Sequence, residues 1–198
     1  MTTRFIMAAL IATITSSASA ASETYVIDPA HTYPSIEFSH MGISMWRGKF
    51  DKTSGTIVID RAAKTGSVEV QVDPASINFG LAAMDEKARS EDFFNVAKYP
   101  TASYKGTLKF DGDVPKSIVG EITLLGVTKP LTLTINATKC IPHPMTGKEL
   151  CGADAQGEVN WSQFGMKWSK FGEGEAGRTV LRIQVEGSKP EIEGSKPE

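Results

Sequence analysis

Residues 131–137 read LTLTINA, with Leu131, Leu133 and Ile135 on one parity and Thr132, Thr134 and Asn136 on the other. Successive side chains of a strand point to opposite faces, so this pattern predicts a strand with one apolar and one polar side. SVEVQVD at 67–73 repeats it, Val68, Val70 and Val72 opposing Ser67, Glu69, Gln71 and Asp73. So does TVLRIQV at 179–185, where Leu181, Ile183 and Val185 oppose Arg182 and Gln184. YVID, SIEFSHM, GTIVID, TASYKGTLKF, SIVGEITLL and GEVNWSQF add candidates, about eight strands in one all-β domain. Turn residues separate them: DKTSG at 51–55, DGD at 111–113 and GVTKP at 126–130. Such short links favour antiparallel neighbours. Strands with one apolar face must stack as a sandwich or close as a barrel, and periodicity alone does not choose.

Outward from the strands, the ends have a different character. Residues 1–20 carry Arg4, the apolar run FIMAALIATIT and the small residues Ala18-Ser19-Ala20. Charge, short apolar stretch and A-x-A site together predict a secretory signal peptide. The run is too short for a spanning helix and no second one follows, so a mature protein that does not span the membrane, periplasmic or secreted, is expected. EGSKPE occurs at 186–191 and again at 193–198, a polar repeat that buries nothing. The folded domain is therefore placed at 21–185 and a flexible polar tail at 186–198. Formal charge is -2 for the whole chain, with no basic stripe, which argues against a nucleic-acid partner. Cys140 and Cys151 are the two cysteines of a chain expected in an oxidising compartment, so they are expected to form a disulfide around IPHPMTGKEL. A Cys-His-Cys metal site through His143 lacks a fourth ligand, and no metal is expected.

One stretch breaks the alternation. In 79–98, FGLAAMDEKARSEDFFNVAK, Leu81, Met84 and Ala88 recur at helical spacing. Ser90 reads as the cap of a second helical turn, and Pro100 ends the segment. Phe93 and Phe94 thus sit in a short helical insert among strands, either plugging the core or touching a ligand.

Catalysis finds no constellation. GEGEAG at 172–177 matches a dinucleotide fingerprint in letters only, because a strand rather than a helix follows. GISMWRGKF has the wrong spacing for a phosphate loop. His40 shares the apolar parity of Ile36 and Phe38, as a core residue or a polar contact at a ligand site, and His31 lies in a loop. No serine or cysteine nucleophile is paired with a base, so no catalytic residue and no cofactor are expected.

Four blocks carry more than pattern: YVIDPAHTYPSIEFSHMGISMWRGKF, DEKARSEDFFNVAKYPTASYKG, ITLLGVTKPLTLTI and NWSQFGMKW. In this order they closely resemble the YceI-like family of secreted lipid-binding proteins, over nearly the whole mature chain. The resemblance implies an eight-stranded antiparallel lipocalin-like barrel whose interior holds a polyisoprenoid or another long-chain lipid. Where that family commonly has Asn-Arg-x-x-Phe-Gly, this chain has Asn160-Trp161-Ser162-Gln163-Phe164-Gly165, one positive charge fewer. Candidate lining residues on the apolar parity are Ile36, Phe38, Tyr104, Leu131, Leu133, Ile135 and Ile183. His40 is a candidate polar contact, and Phe93, Phe94, Trp161 and Phe164 join from irregular segments. A monomer or homodimer that binds rather than catalyses is expected, each buried methylene contributing about 0.8 kcal/mol. The rival is a ligand-free structural or stress-related barrel; an enzyme using His31 or His40 on a lipid head group is a distant third.

Overall fold

The computed structural model describes residues 22–166 and 177–190. The expected signal peptide, most of GEGEAG at 172–177 and the second EGSKPE lie outside them. Eleven strands occur among the described residues: β1 (Glu23–Ile27), β2 (Tyr33–His40), β3 (Ser44–Phe50), β4 (Thr53–Asp60), β5 (Thr65–Val72), β6 (Ile77–Asn78), β7 (Ala102–Asp111), β8 (Val114–Leu124), β9 (Val127–Pro142), β10 (Glu149–Asn160) and β11 (Arg178–Ser188). An α-helix, α1 (Ala82–Arg89), lies between β6 and β7.

All pairings among the described residues are antiparallel, and eight strands form a ring in the order β1-β4-β5-β7-β8-β9-β10-β11. Val26 and Ile27 meet Ser188 and Gly187 to close it. The chain is thus an eight-stranded barrel, and closure removes the free edges that an open sheet would expose. Along β11 the partner changes: Thr179 to Gln184 pair with β2, which carries β3 and β6 as a side arm. α1 packs beside β6, burying Met84 and Ala88.

Inside, large and small residues alternate around the ring. Ala155 stands between Ile135 and Ile183, and Gly157 stands beside Leu181. The side chains of Leu131 and Leu133 lie where a Cβ on Gly157 would be, 3.3 and 2.6 Å from it. Large side chains therefore lie against the wall instead of reaching across, and the centre stays hollow.

The alternation in 131–135 continues only to Ile135. A bulge at Asn136 leaves Asp154 opposite Ala137 and Ala155 opposite Ile135, and Asn136 Nδ2 donates to Asp154 Oδ1 at 2.7 Å. One extra residue shifts the phase, so Thr138 rather than Ala137 borders the interior. Cys140 and Cys151 are directly opposed on β9 and β10 and form a disulfide, their Cα atoms 4.0 Å apart. The strands continue past both cysteines, so the true loop is only 143–148.

GISMWRGKF, set aside as a phosphate loop, contributes β3, and its Trp46 and Phe50 pack against the rings of Phe38 and Phe94. Three expectations change. The strand ending in NWSQF stops at Asn160, whose Oδ1 accepts from the Ser162 amide and turns Trp161–Phe164 into a 3-10 turn. Ser90 caps the end of α1 rather than starting another: its Oγ donates to the Lys87 carbonyl at 2.7 Å, and a turn follows. The domain boundary also moves, because Glu186 to Ser188 still pair with β10 and are not part of a free tail.

Candidate functional site: an apolar lumen closed by aromatic rings

The barrel encloses a cavity of about 220 Å³ whose lining comes from every strand of the ring and from β2. On β9 the lining runs from Leu131 to Thr138. At about 3.4 Å per residue and a strand tilt of about 40°, that is roughly 18 Å along the barrel axis. The cavity is a channel, long and narrow. Among the described residues that line it there is no Asp, Glu, Lys, Arg or His.

Nine of the twelve candidate residues border this lumen. Leu131, Leu133 and Ile135 do so from β9, Ile183 from β11, Ile36 from β2 and Tyr104 from β7. Phe94, Trp161 and Phe164 border it from the irregular segments. The Tyr104 hydroxyl lies 3.0 Å from the carbonyl oxygens of both Ile118 and Leu131. Burial pushes its pKa up to about 12, so it adds no charge to the lumen near neutral pH.

Phe38, His40 and Phe93 lie outside the lining. Phe38 has the expected inward parity and is buried, but it lies near the end of β2, between Thr179 of β11 and Trp46 of β3, at the level of the aromatic cluster. Its ring therefore meets Trp161 edge-on at 4.9 Å and Phe79 at 6.0 Å. His40 stacks on Trp46 at 4.6 Å. Phe93 packs behind Trp161 at 6.5 Å, whereas its neighbour Phe94 faces Phe50 at 5.5 Å and the lumen. The adjacent phenylalanines thus point apart, because the turn after α1 sends one ring inward and the other behind. Together these rings close one end of the channel, with edge-to-face contacts that aromatic quadrupoles favour.

A polar cluster marks the disulfide end. Arg61 Nη2 donates to Tyr25 Oη at 3.0 Å and Glu149 Oε1 at 3.1 Å, and its Nε to Glu23 Oε2 at 3.2 Å. Tyr25 Oη donates to Glu149. Lys189 Nζ donates to Glu23 Oε1 at 2.6 Å. The hydrogen bond from Lys189 holds the Glu23 carboxyl below its ordinary 4.5, opposed by desolvation and helped by Tyr25 and Arg61. A depressed carboxyl pKa stabilises the fold above the unfolded value and ceases to do so as pH falls through the folded one. Stability should therefore decline below about pH 4.5. Glu23→Gln should remove part of that decline, read from urea midpoints at pH values on either side; a mutant with unchanged pH dependence would dismiss the role. Cys140, Cys151 and Glu149 come close enough to suggest a metal set, but the two sulfurs are bonded to each other and offer no thiolate.

Sequence reasoning missed Tyr25, Leu108, Ile118 and Ala155 as lining residues. Period two places them on a buried face but does not say that this face borders a channel. Thr53 and Thr179 share the parity of Ile57 and Ile59 and of Leu181 and Ile183, but their polar side chains mask that signal.

Fold and site define a class: closed antiparallel lipocalin-like barrels with an apolar channel and one helical insert. Within it the chain belongs to the YceI-like domain family, whose model matches residues 25–187. It is 35% identical over 177 residues to protein YceI of Escherichia coli O17:K52:H18, covering 87% of this chain and 90% of that one. The crystal structure of the Campylobacter jejuni YCEI protein superposes with a TM-score of 0.63 at 27% identity, over 78% of this chain and 91% of that one. The same fold appears in a polyisoprenoid binding domain from Saccharophagus degradans implicated in plant cell wall breakdown, with a TM-score of 0.56 at 14% identity, over 84% and 98%. No helix among the described residues is long and apolar enough to cross a membrane.

Proposed function

We propose that this protein is an exported, periplasmic carrier that holds one long-chain lipid, of polyisoprenoid type, inside its barrel. The observation that carries this reading is the elongated lumen, lined along its length by aliphatic and aromatic side chains and by no carboxylate, ammonium, guanidinium or imidazole of the described residues. Such a channel matches a flexible apolar chain, and burial of each methylene supplies about 0.8 kcal/mol without polar recognition. One chain encloses the channel, so no second copy is needed to complete it. The description of the Saccharophagus barrel supports the same ligand class. The protein acts by binding: His31 is exposed and hydrogen-bonded to Asp28 at 2.7 Å, His40 stacks on Trp46, and neither reaches the lumen.

Organic extraction of the purified mature protein followed by mass spectrometry is expected to release a long-chain lipid in stoichiometric amount. Added geranylgeraniol should also raise the melting temperature of extracted protein, since a ligand bound only by the folded state stabilises it. Repeated preparations without lipid, together with no shift on addition, would support the ligand-free barrel instead.

A further inference from the structure

Among the described residues, three buried side-chain polar atoms have no hydrogen-bond partner: Thr53 Oγ1, Thr179 Oγ1 and Trp161 Nε1. All three residues border the one lumen. They also belong to its aromatic end. Thr179 pairs with Phe38, whose ring is 4.9 Å from Trp161. Thr53 follows Phe50 by three residues and pairs with Val72, which packs on the same aromatic cluster. Thr53 and Thr179 are only 4% and 2% exposed, so bulk water does not satisfy them. Buried polar atoms without partners are rare and costly, and three in one cavity point to something that fills it.

The chemistry of the three atoms restricts what that is. An indole N–H can only donate, while a threonine hydroxyl can donate or accept. Together they suit an oxygen that accepts at least one hydrogen bond. A phosphate would need a countercharge, because burying an unpaired anion is prohibitive. Arg61 and Lys189, at the other end, are already engaged with Glu23 and Glu149.

Resting on the lipid-binding reading, we infer that the aromatic end of the lumen is a subsite for an uncharged oxygen function, an alcohol or carbonyl, at the buried end of the lipid. Trp161 Nε1 donates to that oxygen and Thr179 Oγ1 adds a second hydrogen bond, with Thr53 Oγ1 available across the channel. The lipid then lies with its oxygenated end under the rings and its chain toward Tyr25.

The test uses delipidated full-length protein and three probes: geranylgeraniol, the corresponding hydrocarbon without the hydroxyl, and geranylgeranyl monophosphate. Wild type should bind the alcohol about tenfold more tightly than the hydrocarbon, the worth of one net hydrogen bond. The monophosphate should bind more weakly than the alcohol. In Trp161→Phe the alcohol-to-hydrocarbon ratio should fall close to one. Thr179→Val, nearly isosteric, should lower the same ratio and should melt no lower than wild type without ligand, because it deletes an unsatisfied hydroxyl. A wild-type ratio near one, or a ratio unmoved in both variants, overturns the subsite and leaves lipid binding standing. Tightest binding of the monophosphate overturns the neutral-head assignment. Failure to bind any of the three overturns the lipid reading itself, and the subsite with it.

Discussion

Gly120→Ala should cost at least about 3 kcal/mol, a large part of what a domain of this size possesses. Gly120 and Gly106 face each other across β8 and β7 on the inner wall. A Cβ on Gly120 would stand 2.2 Å from the Lys105 carbonyl oxygen and 2.7 Å from the Gly106 Cα. Both obstacles are backbone, so relief requires two wall strands to move apart. Gly152→Ala is the matched control, because its Cβ would meet nothing nearer than 3.6 Å. That change should be neutral or stabilise by about 0.5 kcal/mol, through the unfolded chain's lost freedom. Urea unfolding of the two variants side by side makes the comparison. If both lie within about 0.5 kcal/mol of wild type, the register between β7 and β8 is wrong.

Phe94→Ala and Phe93→Ala should each cost roughly 3–5 kcal/mol, since both rings are almost fully buried. The two losses should nevertheless respond differently to lipid. Phe94 borders the lumen, so its truncation removes contact with a bound chain as well as core packing. Phe93 is packed behind Trp161, under the Lys87 ammonium, which lies 5.9 Å from the ring centroid. Geranylgeraniol should therefore raise the melting temperature of Phe93→Ala as much as that of wild type, and that of Phe94→Ala by less. Equal shifts in both variants would deny Phe94 a part in the site. A smaller shift in Phe93→Ala alone would exchange the roles.

The candidate site was legible wherever it rests on a local period. Leu131, Leu133, Ile135, Tyr104 and Ile183 all border the channel from positions that alternation alone marks as inward. Phe38 shows the limit. Its parity is right and its side chain is buried, but parity names a face and not what lies beyond it. At Phe38 that face is covered by the rings of Trp46, Phe79 and Trp161, so it meets aromatic side chains instead of the lumen. Thr53 and Thr179 show the converse, polar side chains that propensity would send to solvent and that the register turns inward.

By itself the sequence determined an all-β domain of antiparallel strands, the inner and outer side of most of them, a helical insert, and cysteines close enough to bridge. These follow from side-chain direction and turn chemistry, which act over a few residues. The meeting of Val26 and Ile27 with Ser188 and Gly187, the change of partner along β11 and the phase shift at Asn136 were decided only in three dimensions. So was the hollow centre, which depends on Gly157 and Ala155 standing beside leucines and isoleucines of other strands. A barrel closes through contacts between segments far apart in the chain, and whether its middle fills or stays open depends on how residues from several strands share one level, which no single stretch of sequence contains.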